Sequence, residues 1–313
     1  MSIYSQFRFR VACLLPHCLR QMVLDFLAAR RRRKASTLKA RVEDLRNLII
    51  HANPITKLPP AEGKLRLLHE GNTVLLALFA RKCRELGLRY WLDYGTLLGA
   101  VRHKGFIPWD DDLDVSMMRD DFDKLLAALP TIFPEEEGFT WRMHAFLQIG
   151  YKNSPLSIDI YPFHFYKEPF NQENRIEVDR ALTQYKKSVV FQPPLINMTD
   201  EQIRARIARD ILKGAPPADE REHPGIFLTP AIMFTKNTYL AYEDIFPLAT
   251  ETFEGIEFTV PNHARQYLRF FYGDYMAYPS SISYKHPLIE RMVRETAFEA
   301  AVDRFIDIYG KQI

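Results

Sequence analysis

Apolar positions follow a helical period in the first third of the chain and a strand period near its middle. Val11, Leu14, Leu15, Cys18, Met22, Val23, Phe26 and Leu27 recur at helical spacing, with His17, Arg20, Gln21 and Asp25 largely on the other side. The run Arg30-Arg31-Arg32-Arg33-Lys34 follows directly. An amphipathic helix beside such cations suits contact with an anionic membrane surface through residues 11–34, or packing on the protein body or a second copy. Leu38, Val42, Leu45, Leu48 and Ile49 form a second helical stripe. Asn53-Pro54 and Leu58-Pro59-Pro60 then break the chain. The pattern predicts a helical N-terminal region over residues 1–60 and a second domain over 61–313.

That domain opens with a helix over Leu65 to Leu86, ended by Gly87. Short strands are expected at Arg89 to Asp93 and Leu113 to Met118, and a helix at Phe122 to Leu129 capped by Arg119-Asp120-Asp121. Further strands fit Phe139 to His144, Phe146 to Tyr151 and Leu156 to Pro162. Beyond a charged, Pro-punctuated stretch with one helix near 200–212, the pattern gives a turn at Glu254-Gly255 and a strand ending at Pro261. Helices over Gln266 to Tyr272 and from about Leu288 to Tyr309 complete it.

Composition changes this picture little. The chain has 313 residues, 47% hydrophobic and 26% charged, which is ordinary for a globular protein and excludes wholesale disorder. A net charge of +3 does not indicate a general nucleic-acid binder. Cys13, Cys18 and Cys83 show neither zinc spacing nor a disulfide framework, which fits reducing surroundings. No run approaches the roughly 20 apolar residues of a membrane span. Pro16, His17, Arg20 and Asp25 interrupt every candidate signal-peptide core. The expected location is cytoplasmic, or peripheral on the inner face of the membrane.

The chemistry concentrates between Gly95 and Val115. Asp110, Asp112 and Asp114 stand at i, i+2 and i+4, so a strand would aim them at one face, with Asp111 facing away. Carboxylates this close raise one another's pKa unless a cation intervenes, and an all-oxygen set suits a hard divalent ion, most simply Mg²⁺, with Mn²⁺ as the alternative. Asp159, alone between Ile158 and Ile160, is the natural third carboxylate, as a metal ligand or a general base. Gly95, Thr96 and Gly99 open a helix where a phosphate would rest, the Thr96 hydroxyl adding a donor. Arg102 and His103 follow, able to neutralise charge on a leaving phosphate. Trp109 suits either stacking on a base or sugar or a core position. Together these residues point to metal-dependent chemistry on a phosphate ester.

The stretch Tyr94-Gly95-Thr96-Leu97-Leu98-Gly99-Ala100-Val101-Arg102-His103, followed by Gly105-Phe106-Ile107-Pro108-Trp109-Asp110-Asp111-Asp112-Leu113-Asp114, closely resembles the LicD family. The resemblance extends through Ile158-Asp159-Ile160-Tyr161-Pro162, Phe253-Glu254-Gly255, Val260-Pro261, Tyr267-Leu268 and Tyr272-Gly273-Asp274-Tyr275-Met276. It implies an α/β (α+β) nucleotidyltransferase-type mixed sheet flanked by helices, with helical N- and C-terminal additions. It also implies transfer of a phospho-alcohol, typically phosphocholine, from a CDP-linked donor to a hydroxyl of a cell-surface glycan or its lipid-linked precursor. By the same resemblance Asp112 and Asp114 hold Mg²⁺, Asp159 completes the acidic site, and Gly95-Thr96 contacts the donor diphosphate. Three rivals need similar residues: a nucleotidyltransferase releasing pyrophosphate, a metal-dependent glycosyltransferase, and a catalytically silent membrane-surface scaffold. The glycosyltransferase ranks lower, because mostly helices precede the acidic motif.

Overall fold

The computed structural model describes residues 52–143, 146–167, 225–228, 240, 242–279 and 297–313, together with 202 and scattered positions between 25 and 47. The chain divides into two units, residues 1–57 and 58–313. In the first, the described positions from 25 to 47 are helical, and Leu38, Val42 and Leu45 of the second apolar stripe are exposed. The helix expected over residues 11–27 lies almost wholly outside the described residues, as does the one near 200–212.

The second unit begins with α1, Gly63–Glu85. Its buried positions Leu68, Leu75, Leu76, Phe79 and Cys83 follow the 3.6-residue period and line the face it turns to the core. Leu88 N–H reaches the Cys83 carbonyl at 2.8 Å and Gly87 N–H the Arg84 carbonyl at 3.2 Å, a Schellman closure around Gly87 at φ +66°. The chain then runs through β1 (Trp91–Leu92), α2 (Tyr94–His103), β2 (Asp114–Met118) and α3 (Arg119–Ile132). Strands β3 (Phe139–Met143), β4 (Leu147–Tyr151) and β5 (Ser157–Lys167) follow.

These five strands make one mixed sheet in the order β1-β2-β5-β4-β3. Only β2 and β5 run parallel, joined by a crossover that contains α3. Strand β6 (Gly225–Leu228) pairs with the far end of β5. Helix α3 lies against β2 and β5, and α1 against β5. Every residue of β2 is buried, the mark of a strand covered on both faces. A separate hairpin, β7 (Ala249–Phe253) and β8 (Ile256–Val260), turns at Glu254-Gly255 with both residues at positive φ. Helices α4 (Ala264–Tyr272) and α5 (Ala297–Tyr309) complete the unit, α5 packing on α1. The expected mixed sheet flanked by helices is therefore the observed architecture. Helices α1, α3 and α4 fall within a few residues of their expected bounds, whereas α5 is described only from Ala297, the expected start near Leu288 lying outside the described residues. Strand β7 was not anticipated. Its Ala-Thr-Glu-Thr stretch carries only one large apolar residue, Phe253, and is read as a strand through its partner β8.

Candidate active site

The acids gather where β2 and β5 begin. Their parallel register sets Asp114 beside Asp159, with Val115 beside Ile160 and Ser116 beside Tyr161. Asp114 is pinned through its backbone: its N–H donates to Thr96 Oγ1 at 2.8 Å and its carbonyl accepts from Asp93 N–H at 3.0 Å. The Leu113 carbonyl accepts from Asp159 N–H at 2.8 Å. The strand starts only at Asp114, so the expected alternation over Asp110, Asp112 and Asp114 does not hold. Asp110 to Leu113 form an irregular approach to β2, and a turn from Asp110 N–H to the Ile107 carbonyl curls it at 2.9 Å. Freed from strand alternation, Asp111 does not turn away. One oxygen from each of Asp110, Asp111 and Asp112 lies within 4.8 Å of the others, a group that could hold a metal ion.

The electrostatics follow from burial and from the acids' own proximity. Asp114 is held well above the usual carboxylate range, first by burial and then by the charges of Asp112, Asp159, Asp110 and Asp93. Asp110 is raised in the same way, by burial and then by Asp112 and Asp111. Burial lifts Asp159 to about 6, with Asp112 adding to it and a hydrogen bond from Gln148 Nε2 at 2.8 Å opposing it. Gln148 stands opposite Asp159 on β4, a neutral donor where a structural Arg would have been the ordinary explanation for a buried acid.

Helix α2 delivers its first turn to this cluster. Asp93 caps it, its Oδ1 accepting from Tyr94 N–H at 2.7 Å and from the Tyr267 hydroxyl at 2.7 Å, its Oδ2 from the Ser116 hydroxyl at 2.6 Å. A Cβ on Gly95 would come within 2.7 Å of Asp110 Oδ2, so only glycine lets the acid approach the helix start this closely. The other expected phosphate contacts have structural duties. The buried Thr96 hydroxyl accepts from Asp114, tying α2 to the head of β2. A Cβ on Gly99 would collide with the Gly105 carbonyl, so Gly99 serves close packing.

Arg102 is buried, with Nη1 donating to the Tyr275 carbonyl at 2.6 Å and Nε to His103 Nε2 at 2.9 Å. Among charged groups, Asp110 does most to support its positive form. Burial and then the Arg102 charge push His103 down to about 4, so it is a neutral acceptor at physiological pH and not the expected cation. Lys104 pairs with Glu251 at 2.6 Å. Trp109 is partly buried and packs against the core.

Aromatic rings flank the acids. Tyr161, two residues beyond Asp159 on the same strand face, lies edge-on to Tyr94 at 5.0 Å and tilted against Phe146 at 4.8 Å. Burial and then Asp114 and Asp159 keep its phenol protonated. The Tyr272 phenol is raised likewise, by desolvation of its hydroxyl and then by Asp114, Asp93, Asp110 and Asp112, although the residue as a whole is partly exposed. Sequence reasoning missed Asp93 and Gln148. An Asp directly before a Tyr-Gly-Thr helix start is a capping signal that would have found Asp93. Gln148 is visible only through strand register.

A nucleotidyltransferase-like α+β fold with buried carboxylates at a helix start defines the class. Residues 87–207 match the LicD/FKTN/FKRP nucleotidyltransferase-domain family model, so the chain carries a LicD-family domain. Over 236 residues, 66% of this chain and 88% of its relative, it is 26% identical to the lipopolysaccharide cholinephosphotransferase LicD of Haemophilus influenzae. It is 38% identical over 85 residues to the mouse ribitol 5-phosphate transferase FKRP, covering 25% of this chain and 17% of FKRP. With the mouse ribitol-5-phosphate transferase FKTN it shares 32% over 97 residues, 30% of this chain and 20% of FKTN. These homologues are phosphotransferases by name. No helix among the described residues is long and apolar enough to cross a membrane.

Proposed function

We propose that the protein is a Mg²⁺-dependent phosphotransferase. It would move a phospho-alcohol, foremost phosphocholine, from a CDP-linked donor to a hydroxyl of a cell-surface glycan or lipid-linked glycan precursor. The observation that carries this reading is the convergence of Asp110, Asp112, Asp114 and Asp159 at the start of α2, with Asp114 and Asp110 held well above the usual range by burial and mutual repulsion. The donor set is all oxygen and partly buried, as a hard divalent cation requires. Asp112, Asp114 and Asp159 would hold Mg²⁺, with Asp110 and Asp111 beside them. When bound, Mg²⁺ would neutralise diphosphate oxygens and the charge that develops on the leaving phosphate.

The chain's own groups do the rest. The start of α2 at Gly95 presents its backbone N–H groups to the donor diphosphate. Asp159 is within reach of ionisation at neutral pH and can take the proton of the attacking hydroxyl. The new O–P bond forms at the phospho-alcohol phosphorus, its bond to the CMP oxygen breaks, and CMP departs with the electron pair. Arg102 lends a fixed positive charge near Asp110, while neutral His103 steadies that guanidinium by accepting its Nε hydrogen. The catalytic part is assigned to residues 61–313. Peripheral contact with the inner face of the membrane is assigned to residues 11–34.

The test is a product assay with Mg²⁺ and CDP-choline, CDP-ethanolamine, CDP-glycerol, CDP-ribitol and nucleoside triphosphates. CMP release from a CDP-alcohol is expected. Pyrophosphate release from a triphosphate would overturn the reading in favour of nucleotidyl transfer.

A further inference from the structure

The acids that open the site stand on residues 105–113, a segment that belongs to neither helix nor strand. Its shape is imposed from outside, in part by the tip of the β7–β8 hairpin. Glu254 N–H donates to the Lys104 carbonyl at 2.9 Å, just where α2 ends. Its carboxylate then grips the segment. Oε1 accepts from Phe106 N–H at 3.2 Å, and Oε2 accepts from Arg66 Nη1 of α1 at 2.8 Å. A Cβ on Gly105 would collide with Glu254 Oε1, so the glycine exists there to admit this carboxylate.

The grip continues toward the acids. The Phe106 ring stacks on His69 of α1 with centroids 4.1 Å apart and planes within 5°, and meets Phe253 of β7 edge-on at 4.8 Å. Buried His69 is held neutral, and its Nε2 lies 2.7 Å from the Asp110 carbonyl, so that nitrogen carries the hydrogen and donates it. Hairpin, α1 and acidic loop are thus joined by Glu254 at one end of the loop and His69 at the other.

We infer that Glu254 is a positioning residue for the cation site. Through Phe106 N–H and Arg66 it sets the path of residues 105–110, and so fixes where Asp110 and Asp112 stand relative to Asp114 and Asp159. The inference rests on the proposed cation site. It gives the hairpin a task that its distance from the acids in sequence conceals, since Glu254 lies 148 residues beyond Phe106.

The experiment is direct Mn²⁺ binding, read by electron paramagnetic resonance of the free ion, to the full chain carrying Glu254→Ala or Glu254→Gln. Leu75→Ala, a core truncation in α1 away from the loop, controls for general loss of stability. We expect Glu254→Ala to weaken Mn²⁺ binding about tenfold, the worth of one charge-assisted hydrogen bond. Glu254→Gln, which keeps an acceptor for Phe106 but loses the charge facing Arg66, should weaken it about threefold. Leu75→Ala should leave binding within about twofold at a similar loss of thermal stability. Should Glu254→Ala fail to fold, Glu254→Gln decides. Unchanged Mn²⁺ affinity in the folded Glu254 variants, or an equal loss in Leu75→Ala, overturns the inference while the cation site stands. A wild-type chain that binds no Mn²⁺ overturns the cation site itself, and the inference with it.

Discussion

At the residue scale the site is defined by carboxylates that burial keeps from ionising freely. Asp159 and Asp93 are both raised to about 6 from an ordinary 3.8, and Asp110 and Asp114 are likewise held well above the usual carboxylate range. Such groups bind protons more tightly folded than unfolded. Stability therefore falls as pH rises from about 4 to above 6, the reverse of an ordinary ion-paired acid. His69 and His103, held neutral, act in the opposite sense, so the acids are read by difference: between pH 5 and pH 7.5 the unfolding midpoint of the metal-free protein should fall more, or rise less, than that of Asp159→Asn, and millimolar Mg²⁺ should narrow that difference. Equal changes in the two metal-free proteins would contradict the assignment. Asp159 stood out in the sequence as a candidate because a lone acid in an apolar run has few inexpensive explanations, and Asp112 and Asp114 because carboxylates crowd at the mouth of an apolar strand. The duties of Thr96 and Gly99 could not, since a hydroxyl or a glycine at a helix start looks the same whether it meets a phosphate or a neighbouring backbone.

At the element scale, hydrophobic period located α1, α2, α3 and α4 and the strands β2 to β5, because each buries one clear apolar set. It did not show that β2 begins at Asp114 and not before. Periodicity reports which residues point inward, whereas the irregular turn at Asp110 to Leu113 is set by long-range partners: Thr96, His69 and Asp159. The same partners make the α2–loop contact unforgiving. Gly99 touches the Gly105 carbonyl so closely that Gly99→Ala must shift backbone, and flexible side-chain relaxation cannot relieve it. We expect Gly99→Ala to destabilise by about 1–3 kcal/mol in urea unfolding. The control Gly255→Ala has open space for its Cβ, and should show only the cost of a positive φ. An unchanged midpoint for Gly99→Ala would show that the loop is not packed as described.

At the scale of the whole molecule, the two units carry different expectations. The second holds the sheet, the acids and the hairpin that braces them. The first pairs an amphipathic pattern with the Arg30 to Lys34 run, and helical positions around that run bear exposed Leu38, Val42 and Leu45. Removal of residues 1–34 should abolish co-flotation with vesicles rich in phosphatidylglycerol. The intact chain should lose that co-flotation progressively as salt rises, because the cations are screened. Undiminished flotation of the truncated chain would exclude the anchor. The acids and the sheet were legible because they are local in sequence. The assignment of Glu254 to the site was not, because hairpin and acidic loop meet only in the folded chain.

Whether the carboxylates at the start of α2 carry out cation-dependent transfer of a phospho-alcohol is decided by phosphorus NMR of CDP-choline with the wild-type chain, with and without Mg²⁺, beside Asp112→Asn. CMP should appear with Mg²⁺, stop when EDTA is added, and be lost in Asp112→Asn while that variant still folds. CMP release that persists with EDTA, or that Asp112→Asn leaves intact, would contradict that assignment.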